Sequence, residues 1–329
     1  MTTRRELLIA SGASVLAPST AFAQTPGKVW RVGFLSHRHM DLVDSDYAYG
    51  PFTQGLRELG YVLGKNLVIE WRSAEGDSGR LPELAAQLVR LKPDALVAVG
   101  TPASLAAKKA TVTLPIVAIN VGDPVGIGLV KSLARPGGNI TGFSLMSAEI
   151  RPKQLEILRE MLPKVSRMAL MVNPANATNV LESKKIQAAA LQAGVKMQLV
   201  EAGTPQEIAN GFAVMARQNA EALIVPQESL FQQQKNQIVE LVTKHRLPSI
   251  GAYGEYVEAG GLMSYGQNIS ENFKRAATYV DKIFKGANPG DIPVEQPTRF
   301  ELFINRKTAN ALGLKISNTM LVQATKVIE

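Results

Sequence analysis

The chain has 329 residues, 46% of them hydrophobic, with a formal net charge of +8 and no cysteine. That length holds two domains of ordinary size, and the missing cysteine excludes disulfides, zinc–thiolate sites and a cysteine nucleophile. The basic residues are scattered as pairs such as Lys108-Lys109, Lys184-Lys185 and Arg306-Lys307, with no basic stripe interleaved by aromatics, so nucleic acid is not an expected partner.

Residues 1–23 read as an export signal. Arg4-Arg5 form a charged start, 7–17 an apolar stretch, and Ala21-Phe22-Ala23 a small-x-small cleavage pattern that leaves Gln24 first. Thr3-Arg4-Arg5-Glu6-Leu7-Leu8 resembles a twin-arginine signal, and an ordinary signal carrying two arginines is the alternative. No cysteine follows the apolar stretch, so no lipid anchor is expected, and the mature chain is expected free in a periplasm. No other segment has the 18 consecutive apolar residues of a membrane span. A periplasm offers no ATP or NAD pool, and no cofactor is expected.

Strands and helices alternate along the mature chain. Apolar strands are predicted at 31–36, 66–71, 95–100, 115–120 and 140–144. Helices are predicted at 49–59 (stopped by Gly60), 81–91 (ahead of Pro93), 102–110 (Pro102 in its first turn) and 125–133 (stopped by Arg135-Pro-Gly-Gly138). A second set has helices at 148–161, 179–193, 205–219 (capped by Thr204) and 230–245, with strands at 167–173, 196–201, 222–226 and 248–253. The tail adds a strand at 261–265, a helix at 270–285, a strand within 293–305 and a helix at 306–312 closed by Gly313.

Near-continuous apolar strands between amphipathic helices form parallel sheets covered on both faces, so the fold class is α/β with two doubly wound parallel-sheet lobes. A lone strand–helix pair in the tail has too little core to stand alone and must pack on those lobes. Crossings between lobes are therefore expected near 145, 262 and 293. The first lobe then holds 24–144 plus 262–292, and the second 145–261 plus 293–329. Three crossings make a hinge, and two hinged lobes enclose a cleft.

Ligands of open parallel sheets bind beyond the carboxyl ends of the strands. The residues there are Ser36, Gly100, Thr101, Asn120, Asp123 and Pro124 in the first set, and Asn173, Gln227 and Tyr253 in the second. Tyr265 and Gln267 stand at the second crossing. Gly100-Thr101 opens a helix and suits an anion such as a carboxylate. Asp123 suits an amine. Tyr253, Tyr265 and either Tyr47 or Tyr49 suit aromatic walls. Each position also has a plain structural reading: Thr101 and Asp123 as helix caps, Asn173-Pro174 as a turn, Trp71 as strand packing.

Catalytic patterns are weak. Gly60-Tyr-Val-Leu-Gly-Lys65 is one residue short of a P-loop and no Ser or Thr follows it. Neither a Gly-x-Ser-x-Gly elbow nor Gly-x-Gly-x-x-Gly occurs. The three histidines, His37, His39 and His245, lack metal-binding helical spacing. His37 and His39 are expected in a solvated loop, as are Asp41, Asp44 and Asp46. Neither a metal nor enzymatic activity is expected.

Several longer runs carry a resemblance: Gly55-Leu-Arg-Glu-Leu-Gly-Tyr61 with Gly64-Lys-Asn-Leu67, Asn120-Val-Gly-Asp-Pro-Val125, Leu133-Ala-Arg-Pro-Gly-Gly-Asn-Ile-Thr-Gly142, Glu258-Ala-Gly-Gly-Leu-Met-Ser-Tyr265 and Pro293-Val-Glu-Gln-Pro-Thr298. Over almost its whole length the sequence resembles bacterial ABC-transporter substrate-binding proteins. The resemblance implies a type I periplasmic-binding-protein fold. It also implies a monomer that closes on a small-molecule solute and meets permease subunits in the inner membrane. Some relatives resemble tryptophan or aromatic amino-acid binders, and the retained Asp123-Pro124 and Gly100-Thr101 pairs keep an amino-acid solute open. A periplasmic sensor feeding a receptor uses the same cleft and is the alternative. A two-domain enzyme such as a racemase needs an acid and a base facing across the cleft.

Overall fold

The computed structural model describes residues 28–38 and 49–329. The export signal and the readings made of His39, Asp41, Asp44, Asp46 and Tyr47 lie outside those residues.

The first lobe runs β1 (Trp30–Ser36), α1 (Gly50–Glu58), β2 (Leu67–Ser73), α2 (Leu81–Arg90), β3 (Ala95–Val99), α3 (Gly100–Ala110), β4 (Ile116–Val121) and β5 (Ile140–Ser144). The second begins with α4 (Ser147–Met161), β6 (Arg167–Val172), α5 (Ala177–Gln192), β7 (Lys196–Glu201), α6 (Pro205–Arg217) and β8 (Ala222–Ile224). It continues with α7 (Ser229–Gln233), α8 (Lys235–Lys244), β9 (Ser249–Gly251), α9 (Gly254–Glu258) and β10 (Met263–Gly266). The tail supplies α10 (Ile269–Phe284), β11 (Glu301–Asn305), α11 (Arg306–Leu312), α12 (Asn318–Gln323) and β12 (Lys326–Ile328).

The strands form two separate sheets. The first has the order β2-β1-β3-β4-β5, every pairing parallel. The second reads β7-β6-β8-β9-β10 and then adds β11, antiparallel to β10, and β12. Its first five strands repeat the order of the first sheet, so the chain contains the same doubly wound unit twice. Burial explains why the strands form where they do: β4 is buried at every residue and β3 at all but its last. A strand covered on both faces can be apolar throughout, and each such side chain contributes roughly 1.5–3 kcal/mol.

The crossings differ in detail from expectation. The first lies between β5 and α4. The second lies after β10, because Met263 and Ser264 pair with Ile250 and Gly251 in the second sheet. Only then does the chain return, with α10 packing on α1 and β4. The third lies beyond Glu295, whose N–H donates to the Gly142 carbonyl while the Ser144 N–H donates back to Glu295 (2.9 and 2.8 Å). Residue 262 and β10 therefore belong with the second sheet, and 293–295 with the first. A local parallel neighbour was available to β10, and sequential strands pair with their neighbours by preference.

Two helices differ from the pattern read in the sequence. Residues 125–133 are turns, not a helix. The Pro124 carbonyl accepts from both Leu129 and Val130 N–H, folding the segment back on itself, and Gly126 and Gly128 are poor helix formers. The segment 230–245 is two helices, broken at Gln234.

Candidate functional site

In this strand order the crevice opens where neighbouring strands send their connections to opposite faces of the sheet. In the first lobe that point lies between β1 and β3, and in the second between β6 and β8. The residues that leave those strands are Ser36-His37 and Gly100-Thr101 on one side, Asn173 and Gln227-Glu228 on the other. The two points face each other. The Thr101 and Thr178 hydroxyls, from different lobes, lie 3.0 Å apart, both buried. A Cβ placed on Gly122 of the first lobe would stand 2.2 Å from Thr178 Cγ2 and 2.8 Å from Ser147 Oγ, both of the second. Lys185 Nζ reaches to 3.8 Å from Asp123 Oδ2. The lobes are therefore closed against each other.

On the first-lobe wall, Ser36 Oγ accepts from the Arg38 N–H (3.1 Å) and shapes the turn after β1. His37 was expected in a solvated loop, but it is 1% exposed and neither ring nitrogen has a hydrogen-bond partner among the described residues. Burial holds its imidazole down at about 4, against the pull of Asp77 and the Gly76 backbone. Tyr49 precedes α1 and packs on Trp71 (centroids 4.4 Å apart), which also meets Phe34 at 4.4 Å. Trp71 is thus strand packing on one side and a support for Tyr49 on the other. Gly100 opens α3 at φ +83°, a backbone setting that favours glycine. No side chain caps α3, so Thr101 is not its cap. Its hydroxyl is aimed across the cleft instead.

Asn120 and Asp123 are engaged within the protein. Asn120 has φ +59°, and its side-chain oxygen accepts from Asn272 Nδ2 of α10 at 2.8 Å. Asp123 Oδ1 accepts from the Gly126 N–H at 2.8 Å, capping a turn where a helix was expected. Its other oxygen faces Lys185, a basic neighbour distant in sequence. Pro124 is buried and its carbonyl closes the same turn.

On the second-lobe wall, Asn173 accepts from the Ala175 N–H (3.0 Å), the turn chemistry open in the sequence. Gln227 is 6% exposed, and neither of its amide atoms meets hydrogen-bond geometry. Tyr253 is half-buried beside it, its phenol pushed up by burial and by the charges of Glu228 and Glu255. Tyr265 belongs to the second sheet: its carbonyl accepts from Gln154 Nε2 (2.9 Å) and its ring stacks on Phe300. Gln267 follows β10 at the second crossing, buried, its amide nitrogen without a partner among the described residues.

Residues beyond the predicted binding set stand beside it, Glu228 among them as the last of the strand-end run Pro226-Gln227-Glu228. Glu228 is buried and caps α7 through Oε2, accepting from Leu230 and Phe231 N–H at 2.6 and 3.2 Å, while burial raises its carboxyl. Arg38 of the first lobe lies within electrostatic reach of Tyr253 and Glu255 of the second. Arg151 of α4 and Glu182 of α5, 2% and 1% exposed, form an ion pair at 2.8 Å (Nε to Oε2) whose angle falls short of a hydrogen bond. Their signal in the sequence was faint, because a charged residue on an amphipathic helix normally faces water.

Chemically, the wall offers amides, hydroxyls and aromatic faces. These are binding groups for a small polar molecule.

Known proteins share this architecture. A tyrosine-binding protein of Clostridioides difficile (strain R20291) is 29% identical over 276 residues, 82% of this chain and 77% of its own. A crystal structure of an ABC domain in complex with L-Trp from Streptococcus pneumonia is 27% identical with a TM-score of 0.83, covering 91% of this chain and 99% of that one. The ligand-free, open structure of a substrate-binding protein with adhesive properties from Clostridium difficile is 26% identical over the same shares, with a TM-score of 0.63. The model of the ABC transporter substrate binding protein family matches residues 32–328. Since that match runs from the first strand of one lobe to the last strand of the other, the chain belongs to this family.

Proposed function

We propose that the chain is the exported binding component of an ABC importer, and that its lobes close on an aromatic amino acid for delivery to permease subunits in the inner membrane. The direct contact between the lobes at the carboxyl ends of both sheets carries this reading. Closure around a solute held by both walls is the hinge motion that makes such a protein a carrier. The comparisons support it: identity and coverage are nearly equal for two relatives, yet the TM-score is 0.83 to the L-Trp complex and 0.63 to the ligand-free, open structure. The named ligands of the relatives, tyrosine and L-Trp, agree with the aromatic residues at the strand ends, Tyr49 on Trp71 in the first lobe and Tyr253 in the second. We assign the amino-acid end to Gln227, whose buried amide has no partner among the described residues. The role is binding, not catalysis, and a monomer suffices for it.

Calorimetric titration and thermal shift with L-tyrosine, L-tryptophan and L-phenylalanine test the ligand. At least one should raise the melting temperature in a concentration-dependent way, and Gln227→Ala should weaken it by about tenfold, which is about 1.4 kcal/mol. Absence of stabilisation by all three at millimolar concentration would remove the aromatic amino acid.

A further inference from the structure

The buried pair Arg151–Glu182 lies one helical turn below the contact between the lobes. Ser147 and Arg151 are four residues apart on α4, and Thr178 and Glu182 are four apart on α5, so each pair shares one helix face. Ser147 and Thr178 are the residues that meet Gly122 of the first lobe. The next first-lobe residue is Asp123, whose charge is felt at Glu182 and whose carboxylate faces Lys185. Closure therefore carries a first-lobe carboxylate up to a buried charge pair of the second lobe.

We propose that Arg151 and Glu182 are positioning residues that set the closing equilibrium, through the balance of their charges against Asp123. This rests on the closing motion read above but not on the identity of the solute. Other charges face the pair. On α4 it is Glu149, on α5 Lys185, and from the β8–α7 connection Glu228, which reaches Arg151. With both members ionised, the pair presents little net charge to Asp123. If Glu182 is neutralised, Arg151 faces Asp123 and the closed form gains. If Arg151 is removed at alkaline pH, Glu182 repels Asp123 and the closed form loses. A pair that merely holds α4 to α5 predicts the same direction for both changes. Burial lifts the Glu182 carboxyl to about 7 despite Arg151, so acidification of the unmodified protein should act as its neutralisation does.

The absence of cysteine makes the test direct. Spin labels go on Val112→Cys, just beyond α3, and Leu191→Cys, near the end of α5, both exposed. These helices meet at their amino ends through Thr101 and Thr178, so opening separates the labels. Pulsed electron paramagnetic resonance at alkaline pH, with no solute added, then reads the populations of short and long distances. Glu182→Gln should raise the ratio of short to long distances by roughly tenfold, and Arg151→Met should lower it by a similar factor. Asp123→Asn should erase the Glu182→Gln gain, and this arm keeps the proposal testable if Arg151→Met fails to fold. Shifts of the same sign in both variants, or a Glu182→Gln gain that survives Asp123→Asn, would overturn it. No solute is needed, so failure to bind aromatic amino acids and failure of this inference are separate results.

Discussion

Gly122 has room for a hydrogen and little else. The atoms that a Cβ would meet there belong to the other lobe: Thr178 and Ser147 press on it from across the cleft. Gly122→Ala should therefore act as a wedge, since a methyl group 2.2 Å from Thr178 Cγ2 has to displace one lobe or stay outside. Each lobe keeps its own packing, so the midpoint of chemical unfolding without solute should change little. The label pair on residues 112 and 191 should shift to longer distances, and solute affinity should fall in proportion to the lost closed population. An unchanged distance distribution would mean that the backbone at 122 yields at no cost. Thr178→Ala is the complement, because it removes the methyl that meets the wedge and should restore closure in the double variant.

At the level of elements, α10 belongs to the first lobe although it follows a strand of the second, and Gly55 shows why it docks so closely. A Cβ there would sit 2.6 Å from the Lys274 carbonyl oxygen and 2.8 Å from Ala277 Cβ. Gly55→Ala should push α10 off α1 and cost about 1–3 kcal/mol, read as a lower denaturant midpoint at unchanged slope. Most of the architecture was legible for a simple reason: strands buried on both faces are apolar along most of their length, and several helices end at Gly or Pro. The segment 125–133 misled because its apolar spacing resembles a helix, while the bonds that decide it come from Pro124 and Asp123. The strand β10 misled because one strand cannot announce which sheet it joins. The cleft was legible as strand ends, where Thr101 and Gln227 stand. The partners of those residues were not legible. Asn120 finds Asn272, and Asp123 finds Lys185, across 152 and 62 positions of chain. His37 was read as solvated because its neighbours in sequence are polar, yet its neighbours in space bury it.

Among the described residues, His37 and Glu182 are buried titratable groups whose effects on stability oppose each other. His37 in the first lobe is held at about 4 against an ordinary 6.5. Between those values the folded chain binds fewer protons than the unfolded chain, so stability present above pH 6.5 is lost as pH falls toward 4. Glu182 in the second lobe is lifted from 4.5 to about 7. Between those values the folded chain binds more protons, so stability is greatest on the acid side and is lost as pH rises through 7. Each effect integrates to on the order of 3 kcal/mol, so in a chain that unfolds in one step these two contributions should largely cancel, while the raised carboxyls of Glu228 and Glu255 add to the acid side. Substitution separates the two. His37→Gln leaves Glu182 alone, and denaturant midpoints should then rise as pH is lowered through the shared window. Glu182→Gln removes the Glu182 contribution, and its midpoints should fall relative to those of the unmodified protein as pH is lowered over the same range. If the lobes unfold in two steps, the unmodified protein should show both slopes at once, the His37 slope in one transition and the Glu182 slope in the other. Midpoints of both variants that run parallel to those of the unmodified protein would mean that neither group is as deeply desolvated as its surroundings require.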